Sequence, residues 1–215
     1  MPLFRLHNLN VGKPAARVIK DLDFRKQLSE RMTIADSKKA FYKAFPHVIP
    51  PVYRRVTDEL LVELHLLSRQ KDFKADAIFA LGLSKVFDSF TKGYKPEKHL
   101  GSLFKALCKS NGIDPNFIRE ESKKALEGVK ACSLIDIENW LKKKGVGAPK
   151  QLEGELQELS KGSKYYSRLT VIGLFSLIEA CSSNEIENQV SIENTVKDTS
   201  EIYGFPKSRV ERDLN

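Results

Sequence analysis

Residues 50–68 read PPVYRRVTDELLVELHLLS, and this stretch decides the fold class. Apolar side chains recur there at the three- and four-residue spacing of one helix face, on Val52, Val56, Leu60, Leu64 and Leu67. This period predicts an α-helix over residues 52–68, with the two prolines in its first turn, where proline is tolerated. Leu61, Val62 and Leu66 make the other sides nearly as apolar, so we expect this helix to be central and buried.

Helical periodicity continues on both sides of this stretch. Upstream, Thr33 and Asp36 fit a capping box that opens a helix ending before Pro46. Downstream, the pattern predicts helices over residues 79–90, 100–108, 114–126, 133–144, 152–159, 164–180 and 207–213, with weak helical character over 184–203. No run of four or more residues shows a convincing alternation of apolar and polar side chains, so no strand is predicted. We therefore expect an all-α fold, a single globular bundle of about eight or nine helices without a β-sheet.

The composition is that of an ordinary globular protein. The 215 residues are 41% hydrophobic and 30% charged, which is too apolar for a disordered chain. No apolar run approaches the ~20 residues that a membrane-spanning helix needs.

Cys108, Cys132 and Cys181 are far apart in sequence, which is atypical of a disulfide framework or a zinc knuckle. We expect all three to be small core hydrophobes in a reducing compartment.

The net charge of +8 is concentrated near the N-terminus. Residues 1–32 hold seven Lys or Arg and three Asp or Glu, so half of the positive excess lies there. This leader has no apolar run typical of a secretory signal, and its first 20 residues lack the serines of a transit peptide. Because periodic sequence begins directly after Met32, we expect Met32 to be the true start and residues 1–32 to be a disordered or dispensable basic leader. A functional basic arm is the alternative, and residues 33–215 form the helical domain.

No set of residues has the spacing of a metal or catalytic site. The four histidines, His7, His47, His65 and His99, lack the one-turn spacing of zinc and di-iron motifs. Glu59 and Glu63 share a helix face and could act as paired carboxylates. Because Arg55 lies four residues before Glu59, an ion pair is the favoured interpretation.

Two further motifs have simpler explanations than a binding site. Gly145 and Gly147 fit a helix C-cap and linker better than a phosphate loop, since no Gly-Lys-Ser/Thr follows them. Tyr165 and Tyr166 lie among three basic residues, which are Lys161, Lys164 and Arg168. The two tyrosines could stack on nucleic acid, but packing against a neighbouring helix is the favoured interpretation. The sequence therefore indicates no catalytic, cofactor-binding or metal-binding residue, and no cofactor is expected.

Eight stretches carry a family resemblance. In chain order they are residues 36–42 (DSKKAFY), 53–67 (YRRVTDELLVELHLL), 76–82 (DAIFALG), 87–94 (FDSFTKGY), 166–169 (YSRL), 172–175 (IGLF), 204–206 (GFP) and 210–214 (VERDL). Together they resemble the Thylakoid Formation family, the photosystem II biogenesis proteins of cyanobacteria and chloroplasts. The resemblance spans most of the chain after Met32, which makes it far more specific than any single motif.

The resemblance implies an all-helical, non-enzymatic accessory protein that binds the thylakoid surface and supports photosystem II assembly and repair. It also implies the membrane-bound AAA metalloprotease FtsH, photosystem II assembly components or both as partners, and it brings no catalytic or cofactor residues. The cysteine and leader patterns fit a cyanobacterial cytoplasm, with peripheral association with the thylakoid membrane. Many members continue past the last matching stretch into a long charged C-terminal helix, which this sequence does not include.

Two other classes of function are alternatives. A pI of about 9.3 suggests a helical nucleic-acid-binding protein. Half of the positive excess lies in the leader rather than on the helical domain, so we expect no nucleic-acid partner. A small-molecule enzyme on a helical scaffold is the other alternative, and the sequence leaves the oligomeric state open.

Overall fold

The structure, a computed structural model, describes residues 32–161, 166–182 and 189–214. These ranges contain one short 3-10 turn, Glu97–His99, ten α-helices and no strand. The helices are α1 (Ile34–Ala44), α2 (Pro51–Ser68), α3 (Ala77–Phe90), α4 (Leu100–Lys109), α5 (Pro115–Val129), α6 (Leu134–Lys142), α7 (Lys150–Ser160), α8 (Arg168–Ser182), α9 (Gln189–Ile202) and α10 (Lys207–Leu214). The all-α prediction is confirmed, and α9 forms from the segment predicted to be weakly helical. The leader lies outside the described residues up to position 31, so the domain boundary there stays a prediction.

Local hydrogen bonds set the helix starts that the sequence predicted. The Thr33 hydroxyl accepts from the Asp36 amide at 3.2 Å, and the Asp36 carboxylate accepts from the Thr33 amide at 2.9 Å, which completes the capping box of α1. The Asp114 carboxylate accepts from the Asn116 amide at 2.9 Å, and Pro115 takes the first helical position of α5. Both caps satisfy amides that have no acceptor within the helix.

The central element is α3, so the prediction of a central α2 is wrong. Nine of the 14 residues of α3 are buried, and α3 packs along both α5 and α8. In α2, Leu60 and Leu64 are fully buried as predicted, but the Val52 and Leu66 side chains are 74% and 55% exposed. The prediction failed at Leu66 because it assigned an apolar residue outside the main stripe to the core. It failed at Val52 because the stripe itself reaches solvent in the first turn of α2.

Two hydrophobic clusters lie on different sides of α3. The first joins α1, α2 and α4 to α3, through residues that include Phe41, Leu64, Phe79, Leu83 and Leu103. The second joins α3 to the helices from α5 to α10, through residues that include Ile78, Leu81, Val129, Leu174 and Val196. Because α3 contributes to both clusters, the described helices form one bundle.

The cysteines behave mainly as small apolar side chains. Cys108 and Cys181 are fully buried, Cys132 is half-buried, and all three are free thiols. Burial raises the pKa of Cys108 and of Cys181 to about 12, so both thiols stay protonated at neutral pH. The predicted core role is confirmed for these two.

Candidate functional site

An open groove of about 700 Å³ runs beside the outer face of α2. One wall is α2 itself, and the other is built from the start of α8 and from α10. Its lining includes Glu59, Val62, Glu63, Leu66, Tyr166, Ser167, Arg168, Arg209 and Arg212. We call it the α2 groove. It combines an exposed apolar strip with charged groups of both signs.

Helical spacing accounts for the α2 wall. Residues at i, i+3, i+4 and i+7 share one face of a helix, which places Glu59, Val62, Glu63 and Leu66 in line along the groove. Val62 is half-buried, and Leu66 is exposed although it is apolar. This strip is the second apolar face of α2, and in the described structure no helix covers Leu66.

Tyr166 holds the opposite wall together. Its hydroxyl donates to the Asp213 carboxylate at 2.6 Å, which ties the start of α8 to α10. The Phe205 ring meets the Tyr166 ring edge-on with centroids 5.7 Å apart, and the Arg209 guanidinium lies 5.9 Å from the Tyr166 ring centre. Burial, followed by the hydrogen bond to Asp213, raises the pKa of Tyr166, so the phenol remains a donor at any physiological pH.

An ion pair joins the two walls. Arg168 at the start of α8 donates to the Glu63 carboxylate at 2.8 Å, and these side chains are 39% and 23% exposed. A partly solvated pair of this kind stabilises the fold by at most about 1 kcal/mol, so its main effect is to position the walls. Glu59 is held by Arg55 at 2.9 Å, which is the ion pair that the sequence predicted.

The groove floor contains an unsatisfied hydroxyl. The Ser167 side chain is 7% exposed, and its oxygen has no hydrogen-bond partner among the described residues. A buried hydroxyl without a partner costs free energy, and this oxygen is closed off from the open groove in the described structure. No base lies within hydrogen-bond reach of this hydroxyl in the described structure.

The three histidines that the structure describes are not assembled into a common site. His65 is buried and hydrogen-bonds through Nδ1 to the Ser37 hydroxyl at 2.8 Å. His47 and His99 stack on each other with ring centroids 4.0 Å apart, and His7 lies outside the described residues. Across the described ranges no group of three or more His, Cys, Asp or Glu is arranged to hold a metal ion. Nor is any helix there both long and apolar enough to cross a bilayer.

The glycine and tyrosine motifs occupy structural positions. Gly145 has a φ of +93° and donates to the Trp140 carbonyl at 2.6 Å, which is the geometry of a helix C-terminus. Of the two tyrosines, Tyr166 packs against another part of the fold, whereas Tyr165 lies outside the described residues.

Sequence reasoning missed the α2 groove because its walls are far apart in the chain. Four stretches that carry the family resemblance meet at the groove or at the Tyr166 wall, namely residues 53–67, 166–169, 204–206 and 210–214. The one local signal was Leu66, an apolar residue away from the main stripe of α2. No periodicity could show that α8 and α10 would face it.

Comparison with known proteins places this fold in a family. The family model for thylakoid formation protein matches residues 33–215. Protein Thf1 of Prochlorococcus marinus (strain MIT 9313) is 49% identical over 189 residues, which cover 87% of this chain and 78% of the relative. Protein Thf1 of Synechococcus sp. (strain CC9902) is 45% identical over 189 residues, covering 87% and 81% of the two chains.

A solved structure shows the same architecture. The structure of Psb29 at 1.55 Å superposes with a TM-score of 0.70 at 31% sequence identity, covering 85% of this chain and 92% of that one. The family model covers the whole helical domain, and the relatives match along most of their own length. This chain therefore belongs to the thylakoid formation protein family.

Proposed function

We propose that this chain is a non-enzymatic accessory protein of thylakoid biogenesis, which supports photosystem II assembly and repair by binding the membrane-bound FtsH protease through the α2 groove. Membership of the thylakoid formation protein family supports the thylakoid role. The groove is the observation that favours binding over catalysis. In this proposal the protein lies on the cytoplasmic face of the thylakoid as a peripheral component.

The side chains of the groove are those that dominate protein interfaces. Tyr and Arg are enriched among the residues that contribute most to binding, usually beside apolar contacts that exclude water. The α2 groove has Tyr166 and Arg209 on one wall and Leu66 on the other.

A protein without catalytic groups acts by binding one state of its partner more tightly than another. If the chain binds assembled FtsH and not its separate subunits, mass action raises the amount of assembled protease. Loss of the chain should then lower FtsH abundance and slow the replacement of damaged photosystem II. Assembly of photosystem II in dim light should continue.

The test combines gene loss with groove variants. We expect cells without the gene to contain less FtsH and to recover photosystem II activity slowly after a high-light pulse. Leu66→Glu and Arg209→Glu should each reduce FtsH recovered with the protein from solubilised thylakoids by roughly 30-fold, the effect of losing a contact worth about 2 kcal/mol. Both side chains are exposed, so the variants should fold.

The matched control is Ile135→Glu on α6, which places the same charge at a side chain that is 67% exposed and outside the groove. It should co-purify with FtsH as the unchanged protein does. Normal FtsH levels and normal photosystem II recovery without the gene would contradict the adaptor role. Equal loss of co-purification in the groove and control variants would contradict the placement of the binding surface.

A further inference from the structure

The two most exposed large hydrophobic side chains of the described residues lie four positions apart at the start of α2. Val48 is 83% exposed and Val52 is 74% exposed. Scattered apolar residues on a surface need no explanation, but two that protrude from one short segment indicate an apolar contact. We call this end of the molecule the α2 tip, comprising residues 43–55 and the adjoining residues 92–99.

The tip is held in place by packing beneath the two valines. Ile49, between them, is 2% exposed and anchors the loop in the core. The His47 ring stacks on His99, and the Tyr53 hydroxyl donates to the Lys92 carbonyl at 3.3 Å. These contacts join the two segments into one surface, so the fold itself presents Val48 and Val52 to solvent.

The same surface is strongly basic. Residues 43–55 and 92–99 contain a single acidic residue, Glu97, and six basic ones, which are Lys43, Arg54, Arg55, Lys92, Lys95 and Lys98. Lys95 pairs with Glu97, and Arg55 pairs with Glu59. The other four cations have no ion pair within the described structure and are exposed. The tip therefore presents unneutralised positive charge around two apolar side chains.

This combination matches the chemistry of an anionic bilayer surface. Apolar side chains enter the boundary between headgroups and acyl chains, while Lys and Arg remain at the level of the charged headgroups. Two valines supply only a small part of the apolar area in a protein interface of about 800 Å² per partner, whereas insertion into a bilayer needs no larger patch. A nucleic acid would use the cations but would gain nothing from the valines.

We infer that the α2 tip binds the surface of a membrane rich in anionic lipid, with Val48 and Val52 inserted and the lysines on headgroups. The inference rests on the proposed function only in taking the thylakoid as that membrane. It also orients the molecule. Leu66 lies 14 residues along α2 from Val52, about 21 Å at the helical rise, so an upright α2 holds the far end of the α2 groove clear of the bilayer and open to a partner.

The test is flotation of the purified full chain with lipid vesicles at about 0.1 M salt. We expect binding to phosphatidylglycerol-containing vesicles and little binding to pure phosphatidylcholine. Replacing both valines (Val48→Ser with Val52→Ser) should weaken binding roughly tenfold. Replacing two unpaired lysines (Lys92→Gln with Lys98→Gln) should weaken it roughly 25-fold. Every variant retains the basic leader, so the leader's contribution is the same throughout.

Matched controls remove the same groups elsewhere. Ile135→Ser removes an exposed apolar side chain from α6, and Lys143→Gln with Lys150→Gln removes two exposed lysines. Both controls should bind like the unchanged protein, and unaltered melting should confirm that every variant folds. Tip variants that bind as well as the controls, or an unchanged protein that ignores anionic vesicles, would overturn the inference. Binding that falls with the lysines but not with the valines, alongside salt-sensitive binding to RNA, would identify a nucleic-acid surface instead.

These outcomes separate the inference from the proposed function. Vesicle binding uses purified protein and lipid alone, so it can fail while FtsH co-purification and photosystem II recovery behave as proposed. The reverse combination is membrane binding without any effect on FtsH. It would support membrane binding by the α2 tip and contradict the adaptor role.

Discussion

Gly82 of α3 and Gly173 of α8 lie directly against each other where the two helices cross. A Cβ atom on Gly82 would lie 1.8 Å from the carbonyl oxygen of Leu169, and one on Gly173 would lie 1.9 Å from that of Ile78. The backbones of the two helices are therefore in contact. No side chain larger than hydrogen fits at either position.

Replacing Gly82 with alanine should destabilise the protein by about 3 kcal/mol or more. Alanine favours a helix over glycine by roughly 1 kcal/mol, but the added methyl must push two packed backbones apart. Gly154→Ala in α7 is the control, because a Cβ atom added there would meet nothing within 4 Å beyond its own stretch of helix. Helix propensity alone should then stabilise the fold. Urea unfolding measures both, and a neutral Gly82→Ala would contradict the close crossing.

Truncation to alanine should cost much more stability at one leucine of α2 than at another. Leu64 is fully buried, so Leu64→Ala should lower the free energy of unfolding by roughly 2–5 kcal/mol. Leu66 is 55% exposed in the α2 groove, so Leu66→Ala should change it by no more than about 0.5 kcal/mol. Chemical denaturation compares them directly, and similar costs at both positions would disprove the orientation of this helix.

Stability should fall as the pH drops below about 6.5. Burial, with the neighbouring His47 and Lys98, lowers the pKa of His99, and burial with Arg69 lowers the pKa of His65. The unfolded chain then binds protons more tightly than the folded one, so the contribution is complete above the unfolded-state pKa of about 6.5 and is lost as acid protonates the rings. The melting temperature should be lower at about pH 5.5 than at about pH 7.5.

The variant His99→Gln tests whether His99 contributes to this pH dependence. His99→Gln should melt with a smaller difference between the two pH values, since one of the two histidines no longer titrates. The capping carboxylates Asp36 and Asp136 also have lowered pKa values, through hydrogen bonds from Thr33 and Ser133. Their contribution is lost only below about pH 4, outside the measured range. An undiminished pH dependence in His99→Gln would show that His99 does not contribute.

Removing residues 1–31 should leave the melting temperature within a few degrees. The leader lacks a continuous apolar stripe, so its deletion takes little buried area from the core. Thermal unfolding of the full chain and of a chain that begins at Met32 gives the comparison. A fall of about ten degrees or more, equivalent to roughly 3–5 kcal/mol, would show that the leader packs against the helical domain.

Hydrophobic periodicity predicted α9 only weakly because part of its buried face is polar. Its buried residues include Thr199 and Ser200, which no hydrophobic period would place in a core. Thr199 donates its hydroxyl to the Thr195 carbonyl at 2.5 Å, and Ser200 donates to the Val196 carbonyl at 2.6 Å. These bonds satisfy the hydroxyls within the helix itself, so they can be buried at little cost. The sequence therefore showed only weak helical character where a packed helix forms.

The sequence by itself determined the helices, because spacing along one helix face and capping bonds such as Thr33 to Asp36 are interactions between near neighbours. Only the tertiary structure decided which helix is central and where the α2 groove lies. The crossing at Gly82 and Gly173 depends on two backbones 91 positions apart. The groove depends on Glu63 and Arg168, which meet across 105 positions. Such contacts depend on the shape and charge of surfaces from distant parts of the chain, and the spacing of residues along one helix does not reveal them.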